Sequence, residues 1–145
     1  MAVKPIPEGY TAVTPYLIVK DVDALLTFVK AAFGAEVKEE HRLPDGRVMH
    51  ADVLIGDAHI MMGGANEQWA ERLGSMLVYV PDADAVYARA LQAGGKSLQE
   101  MTTQFYGDRS GGVEDPTGVA WWIATHVEDV PPEKMARRMK KYKPA

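Results

Sequence analysis

The sequence predicts an α+β fold in which two tandem βαβββ modules form curved mixed sheets that enclose a cavity, followed by a C-terminal helix. The first observation is a repeat along the chain with a constant offset of 61 residues. Matched positions recur at this offset: Val19 and Val80, Asp21 and Asp82, Ala32 and Ala93, Gly34 and Gly95, and Ile60 and Trp121. The second observation is the order within each half, where a strand precedes a capped helix and three strands follow it. Two repeats are too few for a solenoid, so we expect a pseudo-symmetric pair of modules.

The first module is predicted to span about residues 10–64. Its helix covers residues 22–33, because Asp21 is a good N-cap, Gly34 is a good C-cap and apolar residues recur between them at helical spacing. Runs rich in β-branched and apolar residues, separated by turn residues, predict the strands. These strands are at residues 12–20, 36–43, 47–55 and 58–62, with turns at 44–46 and 56–57.

The second module is predicted over about residues 75–126, after a glycine-punctuated linker at residues 63–74. Asp82 is expected to cap a helix that runs to about Ala93, and two glycines end it. The strands are predicted at residues 75–80, 96–101, 103–114 and 119–125, with a strong turn at residues 115–118. Residues 1–130 therefore form a single domain, and residues 131–145 form a basic helical tail.

Composition excludes several classes of protein. The chain has 145 residues, 47% of them hydrophobic and 25% charged, which is ordinary for a globular domain of this size. The absence of cysteine excludes disulfides, thiolate metal sites and a cysteine nucleophile. Residues 1–9 lack the apolar core of a signal peptide, and no stretch approaches the roughly 20 apolar residues of a membrane span. We therefore expect a cytoplasmic protein with no membrane partner.

Charge is unevenly distributed between the body and the tail. The net charge is −4, and residues 133–145 contribute about +5, so the remainder carries about −9. An acidic body argues against nucleic acid as a partner and is compatible with a neutral or cationic ligand. We expect the tail helix to dock on the body or on a partner subunit.

Several short motifs occur in order along the chain. They are TPYL at 14–17, FGA at 33–35, HAD at 50–52 with IGD at 55–57, YGDR at 106–109, DPTG at 115–118 with Trp121, and THVEDV at 125–130. Together with the duplicated βαβββ plan, they resemble the vicinal-oxygen-chelate (glyoxalase/bleomycin-resistance/dioxygenase) superfamily, in particular its PhnB-like branch. The resemblance covers about residues 10–138. One departure is Val119, where that branch often has histidine.

The resemblance implies a curved sheet in each module and a concave cavity shared by the two. Metal enzymes of the superfamily use four ligands there, and these positions map onto Thr14, Met61, Ser75 and Trp122. Thr14 and Ser75 are 61 residues apart, and so are Met61 and Trp122, so the two halves place these positions consistently. None of the four is a histidine or a carboxylate, which zinc or iron sites require. We therefore predict that the usual metal site is absent and that no cofactor is bound.

Strand alternation predicts which side chains line the cavity. Met49, Ala51, Val53 and Ile55 are expected to face the helices in the third strand, and so are Ile60 and Met62 in the fourth. The predicted lining is aromatic and methionine-rich with a few polar groups, which is typical of a small-molecule pocket. The predicted ligand-binding residues are Thr14, Tyr16, His50, Asp52, His59, Met61, Ser75, Tyr79 and Trp122. His41 and His126 are expected to face solvent.

Three functions remain open. The main prediction is a small-molecule-binding protein that sequesters an apolar, aromatic or cationic ligand without the family's metal. The alternative is a lyase, isomerase or dioxygenase-type enzyme with an unconventional site around His50, Asp52 and His59. In that case His50 and Asp52 are the catalytic candidates, although we favour a hydrogen-bonded structural pair across neighbouring strands. The third is a domain without a small ligand that acts through dimerisation. A homodimer is implied by the resemblance and by the frequency of two-fold pairing.

Overall fold

Each half of the chain folds as a βαβββ module with its own four-stranded sheet, which confirms the predicted fold class. The computed structural model describes residues 3–142. The first module contains β1 (Tyr16–Val19), α1 (Val22–Phe33), β2 (Glu36–Arg42), β3 (Val48–Ile55) and β4 (Ala58–Gly64). The second contains β5 (Ser75–Tyr79), α2 (Ala83–Gln92), β6 (Lys96–Thr103), β7 (Asp108–Glu114) and β8 (Ala120–His126). The tail helix is α3 (Pro132–Lys141).

Both sheets are mixed and have the same strand order. The first sheet runs β1-β4-β3-β2 and the second runs β5-β8-β7-β6. The first strand of each module pairs in parallel with the last, and the other pairs are antiparallel. Tyr16 is opposite Met61, and Leu77 is opposite Trp122, so these strand pairs follow the offset of 61.

The repeat slips by one residue in the third strand of each module. Asp52 on β3 pairs with Met61, whereas Gly112 on β7 pairs with Trp122. The offset is therefore 61 between Met61 and Trp122 but 60 between Asp52 and Gly112. The expectation of a constant offset is wrong here: residues 56–57 connect β3 to β4, whereas the longer connection at 115–119 joins β7 to β8, and the register of β7 against β8 differs by one position. As a result, Gly112 is the structural counterpart of Asp52.

The capped helices form as predicted because their terminal polar groups are satisfied locally. The Asp21 carboxylate accepts a hydrogen bond from the backbone N–H of Ala24 at 3.0 Å, and Gly34 ends α1 with φ +64°. Asp82 caps α2 through the N–H of Ala85 at 3.1 Å. The two helices pack against each other and against the convex faces of the sheets.

The core joins the two modules through aromatic residues. The fully buried ring of Trp121 on β8 lies 5.0 Å from Phe33 and 6.4 Å from Phe28, both on α1. Its Nε1–H donates to the buried carboxylate of Asp115 at 2.8 Å. Side chains of α1 in module one thus pack into the core of module two.

Two predicted strand boundaries are wrong for local reasons. β1 begins at Tyr16 rather than at residue 12, because Pro15 has no N–H to donate to a ladder. β7 begins at Asp108 rather than at residue 103, because residues 104–107 form a turn in which Gly107 takes φ +101°. A Cβ on Gly107 would lie 2.1 Å from the carbonyl oxygen of Glu128, so the turn requires glycine.

The tail helix docks on the body of the same chain, as one of the two predicted options stated. Glu128 accepts hydrogen bonds from Arg138 at 2.8 Å and from Lys134 at 2.9 Å, and Arg138 also donates to the carbonyl of Phe105 at 2.8 Å. The Arg138 and Lys134 hydrogen bonds lower the pKa of the Glu128 carboxyl to about 2. Residues 143–145 of the predicted tail lie outside the described residues. Within residues 3–142, none of the helices is long and apolar enough to span a membrane.

Candidate functional site

Aromatic side chains form a row across the concave face of the first sheet. His50 on β3 pairs with Gly63 on β4 and with His41 on β2. The Tyr16 side chain comes from β1, and a Cβ on Gly63 would lie 3.0 Å from its hydroxyl, so this ring extends over the glycine. Ring centroids lie 5.7 Å apart for Tyr16 and His50 and 5.9 Å apart for His50 and His41. Gly63 therefore creates the room in which the row forms.

This row forms the floor of an open pocket of about 690 Å³, which we call the module-one pocket. Its lining combines the aromatic row with apolar groups and one amide: Tyr16, Ile18, His41, Met49, His50, Gly63, Gly64, Asn66 and Trp69. The volume lies within the usual range for small-molecule sites, about 300–1,000 Å³. Of the predicted ligand-binding residues, Tyr16 and His50 lie here.

Trp69 is a pocket residue that the sequence reasoning missed. Its side chain is 58% exposed, and it lies in the connection between the modules, where no periodicity marks a side chain as functional. The side-chain oxygen of Asn66 accepts hydrogen bonds from the backbone N–H groups of Gln68 at 2.9 Å and Trp69 at 2.8 Å. The Asn66 N–H also donates to the Trp69 carbonyl at 2.8 Å. This closed turn holds the indole at the rim of the pocket.

Met49 lies in the pocket because of a β-bulge, so the prediction that it faces the helices is wrong. His41 pairs with His50, but the next residue on β2, Arg42, pairs with Val48, which leaves Met49 as the extra residue. The bulge shifts the alternation by one position. Val48 becomes buried in the core, and Met49 is 49% exposed.

A buried carboxylate lies beside the pocket on the same concave face. Asp52 is fully buried, and its Oδ1 lies 2.9 Å from Nδ1 of His59. Its Oδ2 accepts a hydrogen bond from the hydroxyl of Tyr10, and the Tyr10 ring stacks on His59 at 3.8 Å. The hydrogen bond to Asp52 raises the pKa of the Tyr10 phenol to about 12. The predicted site residues Asp52 and His59 are therefore brought together, and His50 belongs to the aromatic row instead.

The four positions onto which the resemblance maps the superfamily's metal ligands carry side chains that do not suit a divalent ion. Ser75 and Trp122 are close, but the indole Nε1–H donates to the serine hydroxyl at 2.8 Å, and an indole has no lone pair for a metal. Met61 offers only a thioether and Thr14 a hydroxyl. Across residues 3–142, no three histidine, aspartate or glutamate side chains cluster closely enough to hold a metal.

The second sheet carries its own polar cluster. The buried Asp108 carboxylate accepts a hydrogen bond from the Tyr79 hydroxyl at 2.8 Å and lies 2.8 Å from Nδ1 of His126. The other ring nitrogen of His126 lies 2.7 Å from Asp129. The Asp108 and Asp129 hydrogen bonds raise the pKa of His126, and the Asp108 hydrogen bond raises the pKa of Tyr79. His126 is exposed, as predicted, and both of its ring nitrogens lie within hydrogen-bonding distance of a carboxylate.

The predicted site residues therefore divide between the two sheets, except Thr14, which precedes β1. Tyr16, His50, Asp52, His59 and Met61 lie on the first sheet; Ser75, Tyr79 and Trp122 lie on the second. A second cavity of about 630 Å³ lies along β5 at the junction of the modules, and Ser75 and Tyr79 line it together with Pro15 and residues 55–58.

Sequence comparisons agree with this architecture. Residues 9–123 match the family described as the Glyoxalase/Bleomycin resistance protein/Dioxygenase superfamily. An uncharacterised protein from Mycobacterium bovis is 32% identical over 130 residues, which cover 82% of this chain and 86% of that protein. A homologue from Mycobacterium tuberculosis is also 32% identical over 130 residues, covering 82% of this chain and 76% of its own length.

Solved structures share the fold at low sequence identity. TioX from Micromonospora sp. ML1 superimposes with a TM-score of 0.70 at 22% identity, covering 81% of this chain and 99% of TioX. A gene product from Arabidopsis thaliana gives 0.60 at 24% identity, with coverages of 79% and 98%. The PhnB protein from Bacillus cereus gives 0.60 at 18% identity, with coverages of 79% and 99%.

Proposed function

This chain belongs to the Glyoxalase/Bleomycin resistance protein/Dioxygenase superfamily, and from that membership we propose that it is a small-molecule-binding protein. It binds an apolar, aromatic or cationic ligand in the module-one pocket and does so without the superfamily's metal quartet. A cytoplasmic location remains a prediction from the sequence.

The aromatic lining of an open pocket carries this proposal. Tyr16, His50 and Trp69 present ring surfaces to a space of about 690 Å³, and Met49 adds an adaptable thioether at its edge. Flat rings stack on such surfaces, and the electron-rich faces of tryptophan and tyrosine attract cations. The acidic body, with about −9 outside the tail, favours approach of a cation further.

A screen of aromatic and cationic compounds by thermal shift tests the proposal. A compound at 100 times its Kd stabilises the protein by about 2.7 kcal/mol, which such a screen detects. We expect Trp69→Ala to raise the Kd of a hit at least tenfold. The matched control is Leu98→Ala, which removes another exposed apolar side chain, on β6 and outside the pocket. A hit that binds Trp69→Ala, His50→Ala and the wild type equally would place the ligand elsewhere and refute the proposed site.

The Asp52–His59 pair supports an enzyme as the second candidate. A buried carboxylate 2.9 Å from Nδ1 orients the imidazole and leaves Nε2 for proton transfer, as general bases require. The reaction class is then a lyase, isomerase or dioxygenase type of the same superfamily. Once a substrate is found, unchanged turnover in His59→Gln would rule out this role.

We further propose that the chain forms a homodimer through the β5 edge. β5 is the end strand of its sheet, and Leu77 and Tyr79 are 53% and 62% exposed on it. Sedimentation should give a dimer for the wild type and a monomer for Leu77→Glu, with Leu98→Glu on β6 as the control. If Leu77→Glu sediments as the wild type does, the interface is elsewhere. A dimer in which no compound binds would favour the third function, a domain that acts through dimerisation.

A further inference from the structure

The N-terminal segment contacts the first sheet through one half-buried ring, that of Tyr10. Within residues 3–13, every residue except Tyr10 is exposed. The segment's other side-chain hydrogen bonds, such as that of Lys4 to Glu8, stay within it. Among the side chains of residues 3–13, that of Tyr10 alone hydrogen-bonds to the body: it donates its hydroxyl to Asp52, and its ring stacks on His59. The segment is therefore a strap held by a single aromatic anchor.

The fold does not require the carboxylate that this anchor covers. Burying an ionised carboxylate is costly unless every oxygen is paired. Yet the counterpart of Asp52 in the second module is Gly112, which lies beneath the Trp122 ring and carries no charge. Both modules form the same sheet, so Asp52 has a purpose other than forming the sheet.

The contacts of Tyr10 indicate which chemical group the Asp52–His59 pair would bind. The phenol ring lies nearly parallel to the imidazole, at 20°, and the hydroxyl donates to a carboxylate that His59 holds from the other side. These two contacts select a flat ring that bears a hydrogen-bond donor. Asp52 is two residues from His50 on the same face of β3, a distance of about 7 Å. The Asp52–His59 pair is thus adjacent to the module-one pocket.

We propose that Asp52 and His59 form a subsite for an aryl hydroxyl, a phenol, and that Tyr10 occupies this subsite until a ligand displaces it. The inference rests on the proposed small-molecule function and names its ligand class. A ligand with a phenol on Asp52 and an apolar or cationic group near Trp69 fits both parts of the surface.

Fluorine NMR with 4-fluorophenol and fluorobenzene on the full chain tests the subsite. Tyr10→Ala should bind 4-fluorophenol at least tenfold more tightly than the wild type does, because the anchor no longer competes. It should also prefer 4-fluorophenol over fluorobenzene at least tenfold, because fluorobenzene lacks the donor for Asp52. Tyr10→Phe is the matched control, because it keeps the ring over His59. The Kd of 4-fluorophenol for Tyr10→Phe should therefore be at least tenfold higher than its Kd for Tyr10→Ala. Asp52→Asn in the Tyr10→Ala background should reduce the preference for the phenol.

Three outcomes would overturn the subsite. They are equal binding of the two probes to Tyr10→Ala, equal binding of 4-fluorophenol to Tyr10→Ala and Tyr10→Phe, and no binding at all. Should Tyr10→Ala fail to fold, Tyr10→Leu serves the same comparison, because leucine has neither the ring that stacks on His59 nor the hydroxyl that binds Asp52. If Trp69→Ala weakens the binding of a screening hit but Tyr10→Ala does not bind 4-fluorophenol, the subsite is refuted and the proposed small-molecule function stands. If no compound binds the wild type or any variant, both the subsite and the proposed small-molecule function are refuted.

Discussion

Gly112 on β7 is the position at which a single added methyl group should disturb the concave face of the second sheet. A Cβ there would lie 2.3 Å from Cζ3 and 2.5 Å from Cε3 of Trp122. Since carbon atoms pack at about 3.5–4.0 Å, the indole must move by more than 1 Å in Gly112→Ala. That movement breaks the 2.8 Å hydrogen bond from Nε1 to Ser75.

The expected loss of stability follows from these two effects. Overpacking costs about 1–3 kcal/mol, and the lost hydrogen bond costs about 0.5–1.5 kcal/mol. Replacing a strand glycine by alanine returns about 0.5–1 kcal/mol of chain entropy. The net expectation is a loss of about 0.5–4 kcal/mol in the free energy of unfolding, and at about 4 °C per kcal/mol the melting temperature falls by about 2–16 °C.

Denaturant unfolding in a double-mutant cycle measures this loss. In the Trp122→Ala background the added methyl group meets no ring, so Gly112→Ala should cost less than about 0.5 kcal/mol there. Ser75→Ala removes the hydrogen bond alone and should cost about 0.5–1.5 kcal/mol. An equal loss from Gly112→Ala in both backgrounds would refute the contact, and so would an unchanged free energy of unfolding in Gly112→Ala itself.

Three further predictions concern the contacts between elements. Trp121→Phe should lower the free energy of unfolding by about 2–4 kcal/mol in urea titrations, since it leaves a buried oxygen of Asp115 unpaired and opens a small cavity; a loss below about 1 kcal/mol would contradict this. Gly107→Ala should destabilise more than its φ of +101° alone explains, because the Cβ meets the Glu128 carbonyl; calorimetry showing an unchanged melting temperature would exclude the clash. The folded-state pKa of Glu128 is about 2 against an ordinary 4.5, so its contribution to stability is present above pH 4.5 and lost as the pH falls through 2; Arg138→Gln should flatten that part of the acid-unfolding curve, and an identical curve would argue against the ion pair.

Much of the fold follows from local signals in the sequence. Asp21 and Gly34 define both ends of α1 because the side chain and the positive φ that these positions need are properties of single residues. The offset of 61 predicts that Met61 and Trp122 occupy equivalent positions, and the pairing of Tyr16 with Met61 and of Leu77 with Trp122 confirms this. The failures are also local: Pro15 shortens β1, and a turn that ends in Gly107 delays β7.

The candidate site depends on features that one-dimensional patterns do not encode. Met49 reaches the pocket because a bulge shifts the alternation of β3, and the register with β2 that creates the bulge involves residues on two strands. Trp69 lies in the connection between the modules, and Tyr10 lies in a segment without regular structure. Neither segment has a repeating hydrophobic pattern from which the direction of its side chains could be inferred.

By itself, the sequence determined the duplicated βαβββ plan and the helix ends, because each depends on residue type and spacing. That Thr14, Met61, Ser75 and Trp122 hold no metal stays a prediction from the resemblance. The tertiary structure alone decided that Asp52 meets His59 beneath Tyr10. It also decided that His50 joins an aromatic row below Trp69. Such contacts join segments that are distant along the chain, and they arise only when strands pair and a connection folds back over a sheet.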